Sequence, residues 1–362
     1  MDFITPAGLR ITGCWTKAGM ASCVHVQGNR RSEDFLFDCG VVEQITFSAG
    51  HVLCTHGHID HIGAVVSHAR ARALTHEPAV YYMPENCQGP ILEVKAAFEK
   101  LDGREIPMIV KTVGPGDWID LCPTLKVYVF PTSHRVPSQG YAVYSPSNSK
   151  KLREEYRGLD RLQMKDLIHS GVNIYEESSH DLQICYTGDT VMSGLLSFEN
   201  SFIFHAPILI MELTYLDGDP SKAVKWGHIH INDVVEHAEM FQNQRIVFVH
   251  LSAKYNPYGK AIHLLRQRLP PALLEVSAVS LFSFGAGEHL TRLNSSFAKE
   301  ERQVGWGWGR KHSAAGGRRV VEQTAAVGRS SDRSLDAYSA RQSNKRGVAA
   351  ESAAYEARDF SI

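Results

Sequence analysis

The amino-acid sequence predicts an α/β protein whose reactive side chains gather at one edge of a sheet. From the N-terminus to about Phe284, short apolar runs alternate with helical patterns, as in α/β folds. Five of these runs are followed within a few residues by a potential metal ligand or proton carrier. Functional sites of α/β proteins lie on the loops at strand ends, so this order indicates one shared site.

Each of the five runs is predicted to be a strand. In chain order they are 51–55 before His56, 125–130 before His134, 182–186 before Asp189, 208–211 before Glu212, and 246–249 before His250. Leu125–Phe130 alternates in polarity as a half-buried strand does, and we expect Pro131 to end it. Histidines with only structural roles would not follow this order.

The densest group of ligand-type side chains runs from His56 to His61, with the sequence HGHIDH. Imidazole suits zinc, and a carboxylate serves as a ligand or a base. The alternate spacing of His56 and His58 lets two rings meet one metal, whereas Asp60 and His61 point toward a second. A helix is predicted directly afterwards, from Ile62 to Leu74. A histidine-rich surface loop is the alternative, but the ligand spacing favours a metal site.

The His-x-His-x-Asp-His motif after a strand resembles the metallo-β-lactamase superfamily, which is an αββα sandwich of two sheets flanked by helices. The resemblance implies that one metal takes His56, His58 and His134. It also implies that the other takes Asp60, His61 and His250, and that Asp189 bridges the two. Two such ions would activate a bridging water for hydrolysis. Asp60 is then expected to bind metal and orient the hydroxide.

Further motifs resemble the tRNase Z family, most closely its plant-type short form. They are Glu212 in MELT, His228 in GHIH before a predicted helix, His250 at the start of HLSAKY, and the run SQGYAVY from Ser138. The similarity covers roughly Leu9 to Phe284. It implies an endoribonuclease that removes the 3′ trailer from precursor tRNA after the discriminator nucleotide and leaves a 3′-hydroxyl. His228 is expected to be the general acid and Glu212 its partner. His230 is placed outside the catalytic core.

The same resemblance implies two Zn²⁺ per subunit, with Mn²⁺ or another divalent ion as an alternative. It also implies a homodimer in which the arm of one subunit grips the tRNA presented to the metals of the other. This tRNA-binding arm is placed at residues 150–174, inside a catalytic domain of residues 1–293. The residues implied to bind tRNA are Lys150, Lys151, Arg153, Arg157 and Lys254. Lys254 stands where the family usually has Arg, so it lacks the planar, two-pronged grip on phosphate.

The formal net charge of −1 does not by itself suggest an RNA-binding protein. The interpretation therefore depends on the basic residues of the predicted arm. An exposed charged helix is the alternative for the arm. Seven cysteines without a CxxC pair predict free thiols in a reducing compartment. The first residues lack the regions of a signal peptide, and no apolar run reaches the ~18 residues of a membrane span. We therefore expect a cytoplasmic or nuclear protein without a membrane anchor.

Residues 294–362 are rich in Ala, Gly, Ser and Arg and lack apolar periodicity, which predicts a disordered tail. Two other interpretations of the chain stay open at this point. The first is a thioesterase or lactonase of the same fold, which would give Glu212 and His228 no role. The second is a non-catalytic binding relative, which the intact set of seven ligand positions disfavours.

Overall fold

Two β-sheets lie face to face at the centre of the molecule. The computed structural model describes residues 3–147, 152–172, 174, 180–256, 258–282 and 290–294. The strands are β1 Arg10–Lys17, β2 Ala21–Gln27, β3 Asp34–Phe37, β4 His51–Leu53, β5 Val80–Met83, β6 Ile109–Thr112, β7 Trp118–Cys122, β8 Leu125–Pro131, β9 Gln139–Pro146, β10 His180–Tyr186, β11 Ile208–Glu212, β12 Arg245–Val249, β13 Ser277–Ser280 and β14 Leu290–Arg292.

Helices cover the outer faces of both sheets. The α-helices are α1 Ile59–Ile62, α2 Val65–Arg72, α3 Glu85–Asp102, α4 Arg161–His169, α5 Met192–Leu195, α6 Pro220–Trp226, α7 Ile231–Glu236, α8 Gly259–Arg268 and α9 Pro271–Val276. Short 3₁₀ segments span Arg31–Glu33, Gln44–Ser48, Glu154–Tyr156, Phe198–His205, Ala238–Met240 and Ala253–Tyr255.

Strand order brings the ends of distant strands to the same edge. The first sheet has the order β1 to β6, and the strands from β3 to β6 are parallel. In the second sheet each strand from β7 to β14 lies next to its neighbours in sequence, and β10 to β13 are parallel. Parallel neighbours end at the same edge, so the residues after β10, β11 and β12 come together although they are far apart in sequence.

Three apolar clusters show four layers. The central cluster joins side chains of both sheets, for example Phe37 of β3 and Tyr186 of β10, whose rings stack with centroids 4.8 Å apart. A second cluster packs α1, α2 and α3 against the first sheet. The third packs α5, α7, α8 and α9 against the second sheet. This is the αββα sandwich of the metallo-β-lactamase fold, so the predicted fold class is confirmed.

All five predicted strands are present as β4, β8, β10, β11 and β12. Of two local predictions, one is confirmed and one was wrong. Pro131 is the last residue of β8, so the strand ends there as expected. The helix expected over Ile62–Leu74 is divided into α1 and α2 at Gly63, whose N–H donates to the Ile59 carbonyl. A Cβ at Gly63 would lie 2.4 Å from that same oxygen, so only glycine allows this close turn.

The predicted arm is described only in part. Residues 152–172 contain the 3₁₀ segment Glu154–Tyr156 and α4, whose N-cap Asp160 accepts hydrogen bonds from the Leu162 and Gln163 amides. Lys150 and Lys151 lie outside the described residues, as does the predicted tail from residue 295 onward. Within the part of the chain that is described, no helix is long and apolar enough to cross a bilayer.

Candidate metal centre

The loop from His56 to His61 joins β4 to α1 and forms one wall of a polar cluster. β4 is buried between β3 and β5, which fixes where this loop starts. His56 and His61 are fully buried, Asp60 is buried, and His58 is half-buried. Exposed Ile59 faces away from this wall, so the tight turn presents the polar side chains inward.

The first ligand group consists of His56, His58, His134 and Asp189, whose donor atoms all lie within 4.8 Å of one another. His58 Nδ1 lies 3.0 Å from His56 Nε2 and 3.2 Å from His134 Nε2. Asp189 Oδ2 lies 3.8 Å from His56 Nε2 and 3.9 Å from His134 Nε2. Ligands of a tetrahedral zinc ion, each ~2.0 Å from it, are about 3.3 Å apart. The observed nitrogens match that spacing.

The second ligand group consists of Asp60, His61 and His250. His250 Nε2 lies 3.3 Å from both His61 Nε2 and Asp60 Oδ2. His250 follows β12 with a positive φ of 61°, a strained conformation for a residue other than glycine. Such strain persists where the surroundings fix it, and functional sites are where it clusters.

Asp189 faces both groups. Its Oδ1 lies 3.4 Å from His61 Nε2, whereas its Oδ2 faces the first group. The Oδ1 atom is buried and has no hydrogen-bond partner among the described residues. A buried carboxylate oxygen without a donor is costly, and a cation between the two groups would satisfy it. The donor set therefore fits divalent metal binding at this place.

The electrostatics also favour cations at this place. Burial is the main reason that the pKa of His56, His58 and His134 lies below its usual value, so these rings are neutral, as metal ligands must be. Burial alone would lower the pKa of His61, but the carboxylates of Asp189 and Asp38 raise it well above its usual value. The carboxylates thus draw positive charge into the cluster.

Asp38 supports the centre and was missed in the sequence analysis. It directly follows β3 and is fully buried. Its Oδ2 lies 2.8 Å from His61 Nδ1, and it also accepts hydrogen bonds from the Thr55 amide and the Tyr186 hydroxyl. A carboxylate that holds the second ring nitrogen fixes the orientation of a ligand histidine. The apolar run Phe35–Phe37 before Asp38 is the same signal that identified the other sites.

A buried carboxylate and a histidine form a pair beside the ligand groups. Glu212 is fully buried, and its Oε1 lies 2.9 Å from His228 Nδ1. The Thr190 amide donates to Oε1, whereas the Thr214 hydroxyl and the Ile229 amide donate to Oε2. These fixed donors leave Glu212 one orientation, directed at His228.

Burial alone would lower the pKa of His228, but the charge of Glu212 and its hydrogen bond raise it to about 9. His228, Asp189 and His250 also form a third group close enough for a metal. However, the Nδ1 of His228 lies 3.9 Å from Asp189 and only 2.9 Å from Glu212. The hydrogen-bond partner of Nδ1 is therefore the carboxylate of Glu212. The His228 ring lies 5.1 Å from that of His134, centroid to centroid. His228, a histidine with a raised pKa, therefore lies beside the ligand groups.

His230 does not join any ligand group. It is the N-cap of α7, and its Nδ1 accepts a hydrogen bond from the Asn232 amide. Asp233 completes a capping box by accepting a hydrogen bond from the His230 amide. His230 thus has a local structural task.

None of the described residues that were predicted to bind RNA belongs to a candidate ligand group. Lys254 Nζ is 2.7 Å from Asp217 Oδ1, and Lys260 contacts the other oxygen of the same carboxylate at 2.9 Å. In the arm, Arg153 is 3.9 Å from Glu155 and Arg157 is 3.4 Å from Glu154. Exposed ion pairs of this kind contribute little to stability.

No family model matches the chain. The chain is 34% identical over 240 residues to the Arabidopsis thaliana protein named tRNase Z TRZ1, and the match covers 66% of this chain and 84% of that protein. It is 29% identical over 224 residues to Arabidopsis thaliana tRNase Z TRZ2, chloroplastic, covering 61% of this chain and 62% of that protein.

Solved structures are similar as well. Human tRNase Z, short form, aligns with a TM-score of 0.47 and 20% identity, covering 68% of this chain and 93% of that chain. The metallo-β-lactamase fold protein YhfI from Bacillus subtilis aligns with a TM-score of 0.48 and 14% identity, covering 76% of this chain and 97% of that chain.

Proposed function

The chain belongs to the tRNase Z family, and from this premise we propose that it is an endoribonuclease that removes the 3′ trailer from precursor tRNA. It hydrolyses the phosphodiester after the discriminator nucleotide and leaves a 3′-hydroxyl. The observation that carries the proposal is the pairing of two ligand groups with a separate proton carrier, His228, held by Glu212. A thioesterase or lactonase of this fold would not need that pair.

We propose that His56, His58 and His134 hold one Zn²⁺, that Asp60, His61 and His250 hold the second, and that Asp189 bridges them. Mn²⁺ is the alternative metal. When bound, such a pair lowers the pKa of a water between the ions and neutralises the phosphate. The support is the spacing of the donor atoms and the buried Asp189 Oδ1 that lacks a hydrogen-bond partner.

Asp60 is proposed to bind metal and to orient the attacking water. Burial alone would raise the pKa of Asp60, but the hydrogen bond to His250 and the charge of His61 hold it well below its usual range. The carboxylate is therefore ionised at neutral pH. The Gly19 amide donates to its Oδ2 at 2.8 Å, which restricts the directions left for a water.

His228 is proposed to protonate the leaving ribose 3′-oxygen. Glu212 holds the proton on Nδ1, so the proton on Nε2 is the one available to the leaving group. A ribose 3′-oxygenate is a poor leaving group, and a raised pKa keeps the donor protonated at neutral pH. Glu212 acts through His228 and is a positioning residue.

Precursor tRNA is proposed to bind through Lys254 and the basic arm, with Lys150, Lys151, Arg153 and Arg157 as phosphate contacts. Lys254 is pre-positioned because Asp217 holds its ammonium group. Burial alone would raise the pKa of Asp217, but hydrogen bonds from Lys254, Lys260 and Tyr255 hold it well below its usual range. The two positive charges of Lys254 and Lys260 exceed the one negative charge of Asp217, so these three residues together keep a net positive charge that attracts phosphate.

A homodimer is proposed as the working form. The support is an exposed apolar stripe along α3, formed by Val94, Phe98 and Leu101 at helical spacing. Light scattering of the purified chain should give twice the chain mass, and Leu101→Glu should reduce it to one. A monomeric wild-type protein would rule this assembly out.

We further propose a cytoplasmic or nuclear location. All seven cysteines are free thiols, six of them buried, as expected in a reducing compartment. Imaging of a fluorescent fusion tests this. Accumulation in a secretory or organellar compartment would contradict it.

The experiment that tests the function is a trimming assay on a tRNA precursor with a defined 3′ trailer, run with added zinc or manganese and with a chelator. We expect a tRNA product ending in a 3′-hydroxyl on the discriminator nucleotide, and no product with chelator. A thioester and a lactone substrate serve as matched controls. Hydrolysis of either control without trimming would replace the proposed function with that activity, and two bound ions without any turnover would indicate a binding relative.

A further inference from the structure

An exposed tryptophan next to the candidate metal centre has two cations close to its ring. Trp226 is the last residue of α6 and keeps 42% of its surface exposed. The guanidinium of Arg135 lies over its ring, 4.6 Å from the centroid, and the ammonium of Lys225 lies 5.8 Å from it. Among the described residues, neither cation is paired with a carboxylate. We call Arg135, Lys225 and Trp226 the indole platform.

The backbone ties this platform to the catalytic side chains. Arg135 directly follows the ligand His134, and Trp226 stands two residues before His228. Between them, the Gly227 carbonyl lies 2.8 Å from His134 Nδ1. Gly227 has a φ of 79°, and a Cβ there would lie 2.5 Å from that same nitrogen. Only glycine permits this approach, so the indole is held within a few residues of both the ligand and the proton carrier.

The composition of the platform matches that of single-stranded RNA sites. Such sites place bases on aromatic rings or on Arg guanidinium planes, with cations nearby for the backbone. An exposed indole flanked by two unpaired cations has no evident value for folding alone. Trp118 is similarly exposed, at 56%, but it packs on Tyr128 and Tyr144 at the edge strand β7, and no cation among the described residues lies over its ring.

We propose that the indole platform stacks an unpaired nucleobase adjacent to the scissile phosphate. The inference rests on the proposed function, because it places the RNA at the metal centre. Trp226 supplies the ring face, Arg135 extends the stacked surface, and Lys225 faces the phosphate of the stacked nucleotide. The platform thereby sets which phosphodiester reaches His228.

The test combines protein variants with abasic substrates. Precursor tRNAs carry an abasic nucleotide either on the 5′ side or on the 3′ side of the scissile phosphate. Wild-type protein should lose roughly 5- to 150-fold in kcat/KM on one of the two substrates, the range of one base–aromatic stack. Trp226→Ala should lose a similar factor on the intact precursor and nothing further on that abasic substrate. Trp226→Phe, which keeps a ring, should recover most of the rate and of the abasic penalty.

Trp118→Ala is the matched control, and it should retain both the wild-type rate and the wild-type abasic penalty. Metal content of Trp226→Ala should equal that of wild type, which excludes a disturbed His134. A Trp226→Ala protein that still shows the full abasic penalty would overturn the platform while leaving the proposed function intact, as would a wild type indifferent to both abasic substrates. If wild type trims no precursor at all, the proposed function fails separately. Equal affinities of wild type and Trp226→Ala for a short single-stranded RNA in chelator would then overturn the platform too.

Discussion

The Nδ1 of His61 lies 2.8 Å from Oδ2 of Asp38, a carboxylate with no exposed surface. Asp38 itself has a positive φ of 56°, so the backbone is strained to deliver this contact. Thr55 and Tyr186 donate to the same carboxylate, which joins the ends of β3, β4 and β10. The carboxylate of Asp38 thus links three strand ends behind the candidate metal centre.

Asp38→Asn should weaken metal binding about 10- to 100-fold, the usual effect of removing a carboxylate behind a ligand histidine. The asparagine side chain would also place N–H groups against the Thr55 amide and the Tyr186 hydroxyl, which donate to the carboxylate of Asp38 in the wild type. Competition with a chromophoric chelator measures the change. Asp34→Asn is the matched control, because Asp34 lies on the same strand and its Oδ1 is 2.6 Å from His25 Nε2, away from the ligand groups. Equal weakening in both variants would mean that the effect comes from the fold.

His228→Ala should lower kcat about 10²- to 10⁴-fold on precursor tRNA, the usual contribution of a general acid. Both metal ions should remain, since none of the proposed ligands is altered. Cleavage rates at saturating precursor, together with elemental analysis of the variant, test both expectations. Unchanged cleavage would remove His228 from the mechanism, and loss of an ion would make it a ligand.

Glu212→Gln should shift the alkaline side of the pH–rate profile to lower pH. The charge of Glu212 raises the pKa of His228, and a general acid works only while it is protonated. Without that charge the pKa of His228 falls, so activity is lost at a lower pH as the pH rises. Profiles of wild type and variant at saturating metal measure the shift. A lower rate without a shift of the pH–rate profile would mean that Glu212 has only a structural role.

Lys254→Ala should weaken precursor binding and reduce the slope of log affinity against log salt by about 0.7 to 0.9, the effect of one lost phosphate contact. Lys254→Arg should keep the slope, since Arg can still reach Asp217 and phosphate. Lys126→Ala is the control, because Lys126 on β8 has a similar surface pair with Asp120 on β7. An unchanged slope in Lys254→Ala would show that Lys254 does not touch the RNA backbone.

The site residues at the strand ends could be predicted from sequence because they all follow the same pattern. A sheet strand has a continuous or an alternating apolar run, and the first polar residues after it lie at the sheet edge. His56, His134, Asp189, Glu212 and His250 all follow such runs, and the structure brings them together. Asp38 follows the same pattern after the apolar residues Phe35–Phe37, but the sequence analysis did not use that run.

Other features depend on contacts that a linear pattern does not contain. The break at Gly63 comes from the close approach of one backbone carbonyl. The stacking of Arg135 on Trp226 joins residues 91 positions apart through the turn at Gly227. The sharing of Asp217 by Lys254 and Lys260 likewise needs the fold. In each case the local sequence permits many geometries, and tertiary packing selects one.

His68 should make the protein less stable as the pH falls from 6.5 toward 4. Its Nε2 lies 2.9 Å from the Thr46 carbonyl, which only accepts, so Nε2 donates and Nδ1 accepts from the Tyr81 hydroxyl at 2.7 Å. Burial lowers the pKa of His68 to about 4 from the usual 6.5, so the folded state holds the neutral ring. The stabilisation is complete above pH 6.5 and is lost as the pH falls through 4, because the unfolded chain binds the proton first.

A shift of this size corresponds to about 3 kcal/mol. His68→Gln keeps a donor and an acceptor but does not titrate, so the free energies of unfolding of wild type and variant should converge by roughly that amount between pH 7 and pH 4. Urea unfolding of both proteins in chelator measures this, since chelator removes any effect of metal release at low pH. Parallel pH dependences in the two proteins would mean that His68 has the same pKa in the folded and unfolded states, and any loss of acid stability would then have to come from other groups.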